Sequence, residues 1–181
     1  MSAPRPKPAA RRKPVRRRTA TDDEARALAS ALRLRILRIC LHEPHTNKEI
    51  AAVLKRDAAS TLHHVRTLVR TGFLTPEPVR RGARGAREIP YLATRKSWHL
   101  STPAQDRAML DTFVEEVGLV PADQVDSARL GLQLSAADMT EFRDRLRELL
   151  DDFAERPDDL TQPAWSLFLS LHPDPNAPDP S

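Results

Sequence analysis

Apolar residues recur at helical spacing just before the midpoint of the chain, and they predict two short helices separated by a tight turn. Thr46 followed by Glu49 is a capping box, which opens a helix over residues 47–54. Asp57 can cap a second helix over residues 58–71. The pair therefore forms a helix-turn-helix, whose second helix can enter a DNA major groove about 12 Å wide.

The second helix has one apolar face and one slim polar face. Thr61, Val65, Leu68 and Val69 fall on the apolar side, which leaves the opposite side able to approach base edges. For His64, a phosphate contact and simple packing at the helix edge are equal alternatives. The predicted DNA contacts on this helix are Ser60, His63 and Thr67 for bases, Arg66 and Arg70 for phosphates, and His64.

The stretch after Gly72 predicts a basic hairpin. Residues 80–87 set two glycines among four arginines, which indicates a flexible, charged tip between two extended arms. Pro90 and the two prolines before the tip are tolerated only in edge strands, so the hairpin should lie outside any large sheet. Such a hairpin is a wing, and its predicted DNA contacts are Arg80, Arg81, Arg84 and Arg87.

Four stretches of this half carry a family resemblance: Ala31-Leu-Arg-Leu-Arg-Ile-Leu37, Thr46-x-x-Glu-Ile-Ala51, Ser60-Thr-Leu-His-His-Val-Arg-Thr-Leu68 and Gly72-Phe-Leu74. Together they resemble the winged helix-turn-helix transcriptional regulators of the ArsR type, over about residues 25–98. The resemblance implies that the second helix is the recognition helix. Within it, His63, His64 and Val65 match the His-His-hydrophobic stretch of that family.

The sequence departs from the family pattern at two places. The turn usually carries a glycine where Lys55-Arg56 stands, and the Cys-Val-Cys metal box of metal-sensing members is absent. Cys40, His42 and His45 offer ligands at close spacing, but Cys40 belongs to an apolar helix face and the histidines to a helix end. We therefore predict neither a metal nor a cofactor.

Two further helices are predicted around this region. Thr21 with Glu24 is a second capping box, and it opens one long helix that ends before Pro44. Thr102-Pro103 opens a third long helix, which runs towards Pro121. The first presents the apolar face Leu28, Leu32, Ile36, Ile39 and Cys40, and the third presents Met109, Leu110, Phe113, Val114 and Val117.

Residues 123–172 are predicted to form a small α+β module. Alternating leucines from Leu130 to Leu134 and a similar run from Trp165 to Leu171 predict two strands, and Ser135 caps a helix between them. An effector pocket could lie near Phe142, Trp165 and Phe168. The predicted fold class is thus mainly α with small β, with a winged helix-turn-helix over residues 21–100, a linking and dimerisation helix over 101–122, and this module.

Charge is divided sharply along the 181 residues. The first hundred hold 23 Lys and Arg against 8 Asp and Glu, whereas the remainder hold 6 against 17. A basic half with the helix-turn-helix and an acidic half without it are typical of a polyanion-binding module joined to a non-binding one. Residues 1–20 hold eight Lys and Arg and no acid, so we expect a disordered arm that contacts phosphates, or else a solubilising tail. A disordered tail is predicted over residues 173–181.

Other classes of protein lack support in the sequence. There is no apolar run of 18 residues for a membrane helix, and the first nineteen residues lack the apolar segment of a secretory signal. A single cysteine excludes an internal disulfide and favours a reducing cytoplasm. No phosphate loop, dinucleotide-binding turn or nucleophile elbow is present, so an enzyme is not predicted.

These patterns predict a sequence-specific transcriptional regulator that acts as a homodimer on double-stranded DNA in the cytoplasm. The apolar surface of the acidic half exceeds what so few elements can cover, which favours a dimer held through the third helix, aided by the C-terminal module. A small-molecule effector could act on that half. Two alternatives stay open: a non-specific architectural DNA-binding protein, and a winged-helix module for protein interactions.

Overall fold

The computed structural model describes residues 17–82, 85–101 and 103–175. These residues are mainly helical with small sheets, and they contain a winged helix-turn-helix. The chain divides into two compact units. In the described residues, one unit is Arg17–Ala128 with the segment 159–175, and the other is Arg129–Asp158.

The first unit begins with two helices where the sequence predicted one, so that prediction was wrong. Helix α1 is Asp22–Leu28 and α2 is Ala31–Ile39. The guanidinium of Arg33 donates to the carbonyls of Ala27 (2.6 Å) and Arg26 (2.5 Å). It thereby satisfies acceptors that a continuous helix would have used internally. The predicted apolar face is otherwise confirmed: Leu28, Ile36 and Cys40 are buried, while Leu32 and Ile39 pack against the core.

A three-stranded antiparallel sheet carries the helix-turn-helix and the base of the wing. Its order is β2 (His45–Thr46), β6 (Pro90–Ala93) and β3 (Leu74–Pro76). Pro90 was expected in an edge strand, but it lies in the central one. It is tolerated there because it is the first residue of the strand, where its missing N–H is not needed, and its carbonyl accepts from Glu77 N at 2.9 Å.

The end of the predicted basic arm belongs to the folded unit. Arg18–Thr19 forms β1, which pairs in parallel with β7, Leu100–Ser101. Arg17 lies over the ring of Trp98 at 4.8 Å from its centroid, in the 3-10 turn Lys96–His99 that precedes β7. The boundary expected at residue 20 is therefore too late by at least three residues, while residues 1–16 lie outside the described residues.

Helix α5 (Pro103–Val117) covers α1 and α2. Ala108 and Thr112 are buried in this contact, and the Thr112 hydroxyl donates to the Ala108 carbonyl at 2.7 Å. Two ion pairs border the contact, Arg38–Glu116 at 2.7 Å and Arg35–Glu115 at 3.2 Å. The helix begins at Pro103, as predicted. Its predicted cap, Thr102, lies outside the described residues.

The predicted C-terminal α+β module is wrong in its strands. Helix α6 (Ala136–Ala154) is present, and its predicted cap, Ser135, accepts from Asp138 N at 3.1 Å. The runs Leu130–Leu134 and Trp165–Leu171, however, form no strand in the described chain. Alternation alone does not make a strand, because a ladder needs a paired edge. Leu130 and Trp165 are instead 74% and 85% exposed.

The last described segment was also assigned to the wrong unit. Residues 159–172, which the predicted module joined to α6, belong with the winged domain. Phe168 stacks on Phe113 of α5, with ring centroids 4.6 Å apart and planes 14° apart. The tail predicted over 173–181 is described only to residue 175, so its predicted disorder is untested.

Candidate nucleic-acid interface

The second helix of the helix-turn-helix, α4 (Ala58–Arg70), is fixed at both ends. The side chain of Asp57 accepts from Ser60 N at 2.9 Å at the start of the helix. At its end Gly72 has φ 74°, and the N–H groups of Gly72 and Phe73 donate to Val69 and Leu68. This is a Schellman motif, which confirms the predicted glycine cap.

The turn between the two helices keeps its shape without the glycine that the resembled family carries there. Lys55 follows α3 (Asn47–Leu54) and has φ 52°, a left-handed conformation that costs a non-glycine residue about 1 kcal/mol. Two hydrogen bonds hold it: Lys55 N donates to Ala52 O, and Arg56 N donates to Ala51 O at 2.9 Å. The sequence departure at this turn therefore leaves its geometry intact.

Helix α4 presents the predicted polar face to solvent. Thr61, Val65 and Leu68 are buried on the opposite side, at 1% exposure or less. Thr67 is half-buried, and its hydroxyl donates to the His63 carbonyl at 3.1 Å, so it is left to act as an acceptor. The exposed members of the face are Ser60, His63, Arg66 and Arg70.

His64 differs from the other predicted contacts. Its ring is half-buried, and its Nδ1 atom is buried without a hydrogen-bond partner among the described residues. Burial lowers the pKa of His64, and the nearby charges of Arg33, His63 and Arg56 lower it further. A neutral, half-buried imidazole is a poor phosphate ligand, so the geometry favours packing over the phosphate contact.

The wing is a short antiparallel hairpin of β4 (Arg80–Arg81) and β5 (Arg87–Glu88). Arg81 pairs with Arg87, and both side chains are exposed. Gly85 has φ 75°, which is the backbone freedom expected at the tip. Arg84, the fourth predicted contact, lies outside the described residues.

Arg80 has a partner that the sequence did not reveal. Its guanidinium forms an ion pair with the Glu49 carboxylate, which also accepts from Thr46 N at 2.8 Å in the predicted capping box. The hydrogen bond from Thr46 lowers the pKa of Glu49, and the charge of Arg80 lowers it further. The first arm of the wing is therefore tied to α3, and no local pattern signals this contact because the two residues are 31 positions apart.

A second cluster missed by the sequence joins α1 to the end of α4. Lys96 Nζ lies 2.7 Å from Glu24 Oε1 and donates to the Thr71 carbonyl at 2.7 Å. Arg18 donates to both oxygens of the same carboxylate, at 2.6 and 2.8 Å. The hydrogen bonds from Arg18 hold the pKa of the buried Glu24 carboxyl well below its usual range, and the contact with Lys96 lowers it further.

No group of residues suited to a metal occurs in the part of the chain that the structure describes. Burial raises the pKa of Cys40 to about 12, so its thiol stays protonated and is a poor ligand. No described helix is both long and apolar enough to cross a membrane.

No protein-family model and no curated protein matches this chain. Among solved structures it is similar to reduced HlyU from Vibrio cholerae, at 21% identity over 49% of this chain and 81% of that one, with a TM-score of 0.32. It is also similar to the transcriptional regulator SlyA, at 18% identity over 68% and 75%, with a TM-score of 0.32. A MepR–DNA complex from S. aureus matches at 15% identity over 74% and 80%, with a TM-score of 0.27.

We predict that Glu24→Gln lowers the free energy of unfolding at pH 7 by about 2 to 3 kcal/mol, because two cations lose their charged acceptor. The folded-state pKa of Glu24 is lowered, so the stabilisation is present above the unfolded pKa of about 4.3 and is lost as pH falls towards the folded value. Urea unfolding of both proteins from pH 7 to pH 3 measures the difference.

Glu43→Gln, which changes an exposed glutamate, is the control and should leave unfolding unchanged at every pH. A difference between Glu24→Gln and the parent protein that stays constant down to pH 3 would contradict the assigned role of the carboxylate.

Proposed function

We propose that this protein is a sequence-specific DNA-binding transcriptional regulator of the ArsR type, acting as a homodimer on double-stranded DNA in the cytoplasm. The observation that supports this most directly is the exposed polar face of α4, fixed by a cap at each end. A helix held in this way can present Ser60 and His63 to base edges in the major groove. The exposed wing arginines add phosphate contacts on one side.

The two arms of the wing have different roles in this proposal. Arg81 and Arg87 are exposed, so they are available to contact phosphates or a narrow minor groove. Arg80 is held by Glu49 and sets the angle of the wing relative to α3. The predicted set of phosphate ligands is therefore reduced in the described wing to Arg81 and Arg87.

Selection of bound duplexes from a random pool at physiological salt tests the proposal. Enrichment of one motif supports a specific regulator. Binding without enrichment would favour the architectural alternative, and absence of binding would favour a module for protein interactions.

On the selected site, His63→Ala should weaken binding by about 1 to 3 kcal/mol, and on random DNA by much less, because a base contact is lost. The neighbouring variant His64→Ala is the matched control, since His64 is expected to pack and not to contact DNA. Competition titrations with both duplexes measure the two affinities. Full discrimination by the His63→Ala protein would remove α4 from the proposed recognition role.

Arg81→Ala and Arg87→Ala should each reduce the slope of log affinity against log salt by about 0.9, because one phosphate contact is lost. Arg80→Ala should leave the slope nearly unchanged, since its charge is already compensated by Glu49. Equal slope changes for all three variants would show that Arg80 contacts phosphate like the others.

The homodimer is proposed to form through the outer side of α5. Phe113, which the sequence placed in this interface, is half-buried and stacks on Phe168. Leu110 and Val114 remain 39% and 59% exposed on the same helix and are the contacts we now expect. The predicted effector site loses support near Trp165, whose side chain is too exposed to line a pocket.

Val114→Asp should shift the dimer towards monomers at micromolar concentration, because a charge is placed in an apolar contact. Val53→Asp is the matched control, since Val53 is a helical valine that is 57% exposed. Sedimentation of both variants measures the shift. A wild-type protein that sediments as a monomer would contradict the dimer.

A further inference from the structure

Five of the six large apolar residues of helix α6 recur at alternating steps of three and four. This is the spacing of the a and d positions of a coiled coil, and it keeps these five in one narrow seam. Leu150 is the one large apolar residue of the helix outside the seam, beside Leu149. The seam residues are Met139, Phe142, Leu146, Leu149 and Phe153.

The seam is not covered along its whole length. Leu149 is 55% exposed. Phe153 is 57% exposed, although the guanidinium of Arg156 lies over its ring at 3.8 Å from the centroid. Met139, Phe142 and Leu146 are half-buried. A row of five such side chains at heptad spacing is suited to a second helix with the same spacing, because knobs of one seam then enter holes of the other.

The charged residues beside the seam favour α6 of a second copy as that second helix. With Met139 at an a position, Asp138 stands at g and Arg143 at the following e position. In a parallel pair each g residue faces the e residue of the next heptad across the interface. Asp138 of one copy would then lie opposite Arg143 of the other, and the symmetric pair would form twice. At these positions the helix is complementary to itself, whereas the next g residue, Arg145, faces Leu150.

We propose that α6 pairs with α6 of a second copy of this chain as a short, parallel, two-stranded coiled coil. The inference rests on the homodimer of the proposed function and adds a second contact to it. A parallel pair aligns all five seam residues with their counterparts. An antiparallel pair packs a against d positions, which leaves either Met139 or Phe153 outside the seam.

The length of α6 sets how strong this contact can be. Nineteen residues span about 28 Å and hold fewer than three heptads, so the pair alone would be weak. Residues 118–135 link it to α5, where the other proposed contact lies. Once either contact has formed, the other becomes intramolecular and forms at a high effective concentration. Two weak contacts can in this way give one stable dimer.

Engineered cysteines test the pairing in the full chain, because the natural Cys40 is buried and protonated and does not interfere. Met139→Cys should form a disulfide-linked dimer under mild oxidation, since the two Cα atoms of a parallel pair lie within the reach of about 7 Å that a disulfide needs. Asp144→Cys, on the outer side of the same helix, is the matched control and should remain monomeric on non-reducing gels.

In an antiparallel pair the engineered thiols of the Met139→Cys protein would be about 15 Å or more apart along the axis and would not link. Absence of a link at position 139, or equal linking at 139 and 144, would overturn the proposal. Leu146→Asp supplies a second measurement: it should weaken the dimer at least tenfold by sedimentation while helix content stays unchanged. An unaltered dimer would also overturn the proposal.

The failure of this inference can be separated from failure of the proposed function. Binding of the Leu146→Asp protein to an isolated half-site should be unchanged, because α4 and the wing are intact. Loss of dimer contact with intact half-site binding supports the coiled coil. If the wild-type protein selects no DNA sequence, yet the Met139→Cys protein forms the linked dimer, the regulator is rejected and the coiled coil is retained.

Discussion

The buried carboxylate of Glu24 joins three parts of the winged domain that are distant in sequence. It caps its own helix by accepting from Thr21 N, and it binds Arg18 and Lys96. Lys96 also reaches the carbonyl of Thr71, directly after α4. The end of α4 is therefore positioned by an ion pair and not by packing alone. This charge therefore contributes, together with the buried residues Thr61, Val65 and Leu68, to the orientation of the outer face on which the proposed base contacts depend.

Local signals in the sequence identified most of the elements that carry the proposed interface. The capping boxes at Thr21 and Thr46 and the glycine cap at Gly72 all appear in the structure, because each depends on residues within one helical turn. The same reasoning missed the break between α1 and α2. There Arg33 of α2 donates to the carbonyls of Ala27 and Arg26 at the end of α1. The exposed face of α4 could therefore be predicted, but the contacts that orient it could not.

Interactions between distant residues explain the wrong strands and the contacts that the sequence did not reveal. The alternating leucines near residues 130 and 167 have the period of a strand, but strand formation also requires a partner edge that the pattern cannot supply. The sequence did not reveal that Phe113 stacks on Phe168, because the two residues are 55 positions apart. It did not reveal the ion pair of Arg80 for the same reason, since Glu49 lies 31 positions away on α3. In each case the residue types could be interpreted from the sequence, whereas their contact partners could not be predicted.

The burial of Cys40 limits the kinds of signal to which this protein can respond. Oxidants, electrophiles and soft metal ions act on proteins chiefly through accessible thiolates, and the one thiol of this chain is enclosed by the core and protonated at physiological pH. A change in the oxidative state of the surroundings therefore has no accessible thiolate on this chain on which to act. The proposed DNA binding should accordingly persist through oxidative stress that inactivates regulators built around reactive thiols.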